Sequence, residues 1–388
     1  MKKVNGIKLK KEVLEWLETL RIKEGKYGRY KLTKMAEPTL FASCFAVMVK
    51  SLFDELKELS EVQRQEWVNY ILGCQNSETG LFIDPLLKSQ DLISPKHDWD
   101  YTVFNLTMLS LSALKILGTE PLYLLNFLKR YKNPYYIVKW LEERNWKDPW
   151  LEGNNLMYVG GFLIRDFEMS KDSITVDTLE AFFKWLDQHQ NSQTGYWGTD
   201  KGADNFSGMA GAFHIYLLYF YLNRPLKYIE TIIDNTLSFQ YKDGLFSPQG
   251  GGGSCEDLDA IDILVKMSHL TSYRSIDIET ALQKAFNAIC RNRNKDGGFC
   301  WAKRPRRIEM RKNLFKAVIN YIKRPNEIIK YGGWKKMSFN ISESDIFSTW
   351  FRSLAIALIS TRYPTQCPIG IDWQFSQYPG LGFHRQKI

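Results

Sequence analysis

The chain has no closely spaced cysteine pair: Cys44, Cys74, Cys255, Cys290, Cys300 and Cys367 are scattered, without a CxxC. That spacing supports neither a disulfide framework nor a zinc module. The opening "MKKVNGIKLKKEVLEWLETL" is basic but charged throughout, without the apolar centre and small-residue cleavage site of a signal peptide. Apolar runs such as "AFHIYLLYFYL" are too short to span a bilayer. The glycine run 250–253 lacks the Lys-Ser/Thr of a phosphate-binding loop and follows no strand signal, so it reads as a flexible loop. These absences lead to the expectation of a reducing, cytoplasmic location, with a membrane-peripheral position left open and the oligomeric state undetermined.

What is present is ordinary in bulk and unusual in detail. Hydrophobic residues make up 44% and charged residues 24% of 388 positions, enough for a large core. The 12 Trp, 20 Tyr and 23 Phe exceed what a typical core needs, so some rings are expected to line a cavity. A net charge of +9 suits an anionic partner, but much of it is concentrated in "WAKRPRRIEMRK" and "KRPNEIIKYGGWKK". Those stretches lack the interleaved aromatics of a nucleic-acid track and read as a solvated basic insertion at about 302–340. No nucleic-acid partner is expected.

Four stretches repeat one another: "CQNSETGLF", "HQNSQTGYWG", "FQYKDGLFS" and "RNKDGGFCW". Each places Thr-Gly, Asp-Gly or a close variant before an aromatic, the signature of a tight turn whose glycine takes positive φ. Gly80, Gly195, Gly244 and Gly297 fall near multiples of a repeat-length spacing. "RNWKDPWLEG" is a degenerate copy, and "YPGLGFHR" a further candidate. Amphipathic segments such as "TLEAFFKWLDQ" precede the turns, and helices apolar nearly all round follow them, among them "DNFSGMAGAFHIYLLYFYL" and "CEDLDAIDILVKM". Such alternation predicts an all-α fold, an α/α toroid of five or six helical hairpins with amphipathic helices outside and buried ones inside. Residues 71–388 are assigned to the ring, and residues 1–70 to an outer layer or cap.

The turns and their spacing resemble the repeats of the terpenoid cyclase and protein prenyltransferase superfamily, over most of the chain from about Cys74 onward. The resemblance implies a central cavity reached from one rim, where the N-termini of the inner helices meet. Substrate-binding candidates at that rim and below it are His97, Trp99, Asp100, Tyr101, Asn155, Tyr158, Asp204, Phe206, His214, Trp350 and Arg352. Most polar residues at the helix starts are explained equally well as caps. His214 reads equally as a bonded core histidine, and Arg352, on a buried helix, needs a carboxylate or a substrate anion.

The stretch "CEDLDAID" is harder to reduce to capping, because Asp259 and Asp262 lie one turn apart inside an apolar helix. Burial without nearby cations would leave at least one of them protonated, metal-bound or paired. A protonated carboxyl in an apolar pocket is a strong general acid. Here "DLDA" resembles the D-x-D-D motif of the protonation-initiated (class II) terpene cyclases, with Ala260 in place of the last Asp. The resemblance puts the proton-donating Asp on Asp259 and the first Asp of the motif on Asp257, while Asp262 could supply the missing charge. The function expected is cyclisation of a polyprenyl alkene or epoxide, a small-molecule prenyl partner, in an aromatic-lined cavity. No cofactor is implied, Mg2+ entering only for a diphosphate substrate, and no DDxxD cluster is present. A zinc site of Cys255, Asp257 and His384 is the weaker metal alternative, since "SCED" reverses the order used by the prenyltransferases. Two other functions fit a toroid: a carbohydrate hydrolase or lyase with Asp100 and Asp259 as its acid pair, or a non-catalytic lipid- or protein-binding ring.

Overall fold

A computed structural model describes residues 5–87, 98–303, 328–331, 334–338 and 342–380. Outer and inner helices alternate along the chain. The outer ones are α1 (Gly6–Glu18), α3 (Glu61–Leu72), α5 (Pro134–Glu142), α7 (Ser173–His189), α9 (Ile229–Ser238) and α11 (Ser275–Arg291). The inner ones are α2 (Leu40–Leu52), α4 (Trp99–Leu117), α6 (Pro149–Ser170), α8 (Asn205–Tyr221), α10 (Ser254–Leu270) and α12 (Ile346–Arg362). Each inner helix packs on the next, and α12 packs back on α2, so the ring of six is closed. A two-stranded antiparallel hairpin, β1 (Ile328–Tyr331) with β2 (Trp334–Ser338), interrupts the helical pattern within the basic insertion.

The sequence period explains both layers. On α11 the apolar residues Ile278, Ala281, Leu282, Ala285, Phe286 and Ile289 form one buried stripe, while α8 is buried on every side from Gly208 to Phe220. The first 70 residues are more than an outer layer or cap, since α2 sits in the inner ring between α12 and α4. Its run "LFASCFAVMVKSL" is buried almost without a break, as an inner position requires.

The repeated turns fasten each hairpin to the next. Gly80, Gly195, Gly244 and Gly297 all have positive φ. A Cβ at these positions would meet, in order, the Leu124 carbonyl, the Ile232 side chain, the Lys284 carbonyl and the Glu12 carbonyl, all within 2.8 Å. Three of the turns carry a glutamine that bonds across the repeat boundary. Gln75 donates to Gly80 and Tyr123 carbonyls, Gln190 to Gly195 and Lys227, and Gln240 to Gly244 and Ala281. The fourth turn lands on α1, and Arg293 pairs with Glu12 there at 2.6 Å, so the outer layer closes as well. The candidate copy near the C-terminus behaves differently. Gly380 has positive φ, as the turn glycines do, but Pro379 and Gly380 lie against Gly161, Met108 and Met157 of the inner helices, and the rest of that stretch is outside the described residues.

The α6–α8 crossing is the tightest. A Cβ on Gly153 would stand 2.3 Å from the Gly211 carbonyl, and one on Gly211 2.2 Å from the Pro149 carbonyl. Gly153→Ala is therefore expected to lower the unfolding free energy by about 1–3 kcal/mol through overpacking, read from the denaturant midpoint at unchanged slope.

Candidate functional site

Helix α10 opens where Glu256 accepts the Gly253 N–H at 2.8 Å, so Glu256 is a first-turn cap. Asp257, fully buried, accepts the Phe246 N–H at 2.6 Å through Oδ1 and forms an ion pair through Oδ2 with Arg352 of α12. The Arg352 guanidinium, also fully buried, donates further to the Gly252 carbonyl at 2.9 Å and the Trp301 carbonyl at 2.8 Å. Burial pushes the Asp257 carboxyl up, and the Arg352 charge and the Phe246 N–H pull against that rise. Arg352 thus finds the carboxylate its position demands, and this pair ties α10, α12 and two rim loops together.

Asp262 is held by Lys266 one turn below it, through both carboxylate oxygens. Burial raises the Asp262 carboxyl and lowers the Lys266 ammonium, while each charge favours the other's ionised form. The Lys266 ammonium lies over the Phe220 ring of α8, 5.6 Å from its centroid.

Asp259 is different. It is 1% exposed, and neither carboxyl oxygen has a hydrogen-bond partner. At about 100° per residue it lies about 200° round α10 from Asp257, on the side that carries Lys266 toward α8. Burial, then the charges of Asp262 and Asp257, raise its carboxyl well above the usual carboxylate range. Both neighbouring carboxylates have cations of their own, and among the described residues no cation pairs with Asp259, so it is the member of the three whose protonated form its surroundings favour most.

The other expected site residues divide into groups. Asp100 is an exposed rim residue paired with Arg130 at 3.1 Å. Asp204 accepts the Ser207 N–H at 2.9 Å as the cap of α8, and Asn155 donates to Glu152 at 2.9 Å on its own helix. Phe206 packs edge-on against Phe239 and Trp150, and Trp99 is half-buried against the core. Trp350 joins a buried aromatic group with Phe45 and Phe351. His97 and His384 lie outside the described residues. Among the described residues no group of three His, Cys, Asp or Glu could hold a metal ion, and half-buried Cys255 stands apart from any such group.

His214 faces the ring's interior. On α8, Gly208 meets the outer turn, Gly211 meets α6 and Phe220 meets Lys266, which leaves Ala210 and His214 on the remaining face. Its Nδ1 bonds the Ala210 carbonyl at 2.7 Å, and burial pushes the imidazole down to about 4, so the ring is neutral.

Lys266 and Asn105 are the residues that the sequence reading does not single out. Asn105 of α4 donates to the Tyr158 hydroxyl of α6 at 2.7 Å, and that hydroxyl donates to Asn154 at 3.2 Å. Tyr101 closes over Tyr158 edge-on, with ring centroids 5.7 Å apart. The Asn105 carbonyl oxygen is buried and unpartnered. An asparagine in the middle of the apolar run "DYTVFNLTMLSL" was the signal available for it. The inner wall is therefore polar across α4, α6 and α8 and aromatic across α12 and α2, where Phe41, Phe45, Phe347 and Phe351 pack against one another, stacked in one pair and edge-on or tilted in the others.

The family profile described as the prenyltransferase α/α-toroid domain matches residues 4–147 and 128–305. No curated protein matches the chain. A solved polysaccharide lyase is similar in fold, with a TM-score of 0.50 and 12% identity, covering 92% of this chain and 97% of that chain. An identity so low speaks for shared architecture only.

Two outcomes are expected from this geometry. Arg352→Met leaves Asp257 buried without a cation and should cost about 3–5 kcal/mol, most of it recovered in Asp257→Leu/Arg352→Met, measured by denaturant unfolding of the four-member cycle. Asp345, the buried cap of α12, has its carboxyl pushed up to about 7 by burial. A raised acid stabilises the fold most when protonated, so its contribution is full below about pH 4 and is lost as pH rises through the folded value. In a pH series of unfolding free energies, Asp345→Asn, which keeps the cap, should remove that decline.

Proposed function

The chain belongs to the prenyltransferase α/α-toroid family, and from that premise we propose that it is an enzyme of the class II terpene-cyclase type, with Asp259 as its general acid. The observation that carries this reading is the Asp259 carboxyl, buried and unbonded between two carboxylates that are each paired with a cation. A carboxylic acid so placed has no internal acceptor for its proton and is poised to deliver it to a weakly basic substrate.

The chemistry follows from that proton. Asp259 transfers it to the π pair of a terminal alkene, or to the oxygen of a terminal epoxide whose C–O bond then breaks with its pair staying on oxygen, and a tertiary cation is left on the prenyl chain. Successive alkenes attack the cation and close rings, and the edge and face of the Phe45, Phe347, Trp350 and Phe351 group offer cation–π stabilisation. Loss of a proton ends an isomerisation, and addition of water ends a hydration. Asp259 then regains its proton from solvent at the rim. Asp257 and Asp262 act on Asp259 through their charge, holding its pKa up, while each remains bound to its own cation. The reading needs no metal, Mg2+ being called for only if the substrate carries a diphosphate. No helix of the described residues is long and apolar enough to cross a membrane, and a prenyl substrate would favour a position at a membrane surface.

A carbohydrate reading is favoured by one observation, the Asn105, Tyr158 and Asn154 chain with His214 on the interior wall. Hydrocarbon needs no such donors and acceptors, whereas sugar hydroxyls do. Asp100, exposed and paired with Arg130, then falls away as the second carboxyl, and Asp259 would act with Tyr158 or His214.

Incubation of the purified chain with sesqui-, di- and triterpene-length prenyl substrates separates the readings. Cyclised product that falls at least about 100-fold in Asp259→Asn supports the first. Equal product from the variant sinks it. Absence of prenyl product together with Asp259-dependent release of reducing or unsaturated sugar ends transfers the assignment to the glycan reading, and inactivity on both classes leaves a binding ring. An infrared carbonyl band of protonated carboxyl at neutral pH, lost in Asp259→Asn, is expected under either enzymatic reading.

A further inference from the structure

The polar arc of the inner wall has a direction. Asn154 donates through Nδ2 to the Trp150 carbonyl at 2.9 Å. A carbonyl can only accept, so the Asn154 amide is fixed with its Oδ1 turned to Tyr158. The Tyr158 hydroxyl donates to that oxygen at 3.2 Å and accepts from Asn105 Nδ2 at 2.7 Å. Turning the Asn154 amide over sets two acceptors face to face, and turning Asn105 over leaves one phenolic hydrogen between two oxygens. A backbone carbonyl of α6 therefore decides which end of the Asn105 amide is left over, and it is the acceptor end. That oxygen has no partner, on a side chain that is 2% exposed. An acceptor buried without a donor is costly, and a group from outside the chain that brings a donor relieves the cost.

The contacts of α4 show where Asn105 points. Ser110 meets Cys44 of α2, Thr107 accepts the Phe82 N–H of the outer turn at 3.0 Å, and Phe104 packs on Phe127 of the outer layer. The face left to Asn105 lies between α6 and the axis of the ring. In the closed ring of six, α4 is the member opposite α10. Asn105 is the seventh residue of α4 and Asp259 the sixth of α10, so both lie about two turns below the rim, on opposite walls. His214 adds a second acceptor to the polar arc. Its Nδ1 faces the Ala210 carbonyl at 2.7 Å and so carries the hydrogen, which leaves the lone pair on Nε2.

We propose that Asn105 Oδ1 anchors a subsite for a hydroxyl group of an uncharged ligand, held across the ring from Asp259. The ligand's O–H donates to Asn105 and completes the chain that begins at the Trp150 carbonyl. A carboxylate, a diphosphate or an ether brings only lone pairs to this atom and is disfavoured there. The inference rests on the reading of the interior as the substrate chamber, and it names the substrate class. Under the cyclase reading that class is a free prenyl alcohol, with its hydroxyl on the polar arc and its terminal alkene at Asp259. A neutral sugar shares the hydroxyl chemistry, whereas the carboxylate of a uronic acid does not.

Calorimetric titration of the full chain with farnesol, its methyl ether and its diphosphate measures the subsite without relying on turnover. Farnesol should bind about tenfold more tightly than either derivative. Asn105→Leu, close to isosteric, should bring alcohol and ether within about twofold of each other. Tyr158→Phe keeps Asn105 but frees its amide to turn a donor inward, so the ether should gain on the alcohol, a change that a space-filling role for Asn105 does not produce. That variant also covers the case in which Asn105→Leu does not fold. Equal binding of alcohol and ether overturns the subsite, as does tighter binding of the diphosphate that Asn105→Leu removes. A preference that both variants leave unchanged means that Asn105 meets only a buried water, and it overturns the subsite too. Maltotetraose and cellotetraose form the second arm. Asn105-dependent binding of either, with farnesol unbound, retains the hydroxyl subsite and moves its source to a glycan, and no binding of any probe overturns it. Asp259→Asn should keep the preference for the alcohol. A preference without Asp259-dependent turnover therefore retains the subsite and rejects the cyclase reading, and Asp259-dependent turnover without the preference does the reverse.

Discussion

Helix α10 is buried on every side from Glu256 to Ser268, and its chemistry follows from that constraint. Outer helices carry charge on their solvent side at little cost, but every carboxylate on α10 must find a cation, a donor or a proton. Asp257 finds Arg352 and Asp262 finds Lys266. Asp259 finds neither, so the proton is the remaining way to satisfy it. The two ion pairs are thus part of the acid's environment as well as of the fold, because they keep negative charge nearby while leaving no positive charge to spare.

The interior is not uniform. Its aromatic arc, from α12 to α2, is made of residues that fill space and offer π-faces, and its polar arc, from α4 to α8, is made of amides, a phenol and a neutral imidazole. Under the proposed function, a ligand seated between the two would meet different chemistry on its two sides and be oriented by it. The Asn105 oxygen and the Asp259 carboxyl are among the places on the inner helices where hydrogen bonding is left unfinished, with Ser112 on α4 and Ser353 on α12.

Much of the ring was legible in the sequence because the repeat is a physical necessity. The glycine of each turn must have positive φ and must lack a side chain where the next hairpin passes, so it stands out even when the residues around it have drifted. The alternation of striped and wholly apolar helices was visible for the same reason. The inner position of α2 was not, since no Gln-x-x-x-Gly turn precedes it, and the apolar run alone fits an inner helix or a packed cap equally well. At the site, Asp259 stood out as a carboxylate in an apolar helix, and Arg352 as a charge needing a partner. That Asp257 was the partner could not be read, because the two are 95 positions apart. Lys266 was readable, four residues after Asp262 on the same face, and would have separated the paired acid from the unpaired one.

The turn at Gly297 rests on the backbone of Glu12, and Ile346 donates its N–H to the Leu32 carbonyl. The first hairpin therefore has its permanent neighbour at the far end of the chain. On the ribosome α1 and α2 are made before the other hairpins of the ring, and their apolar faces stay uncovered on one side until the last inner helix has been made. A ring closed in this way exchanges the free edges of a solenoid for a long interval during synthesis in which its oldest segment is its least protected.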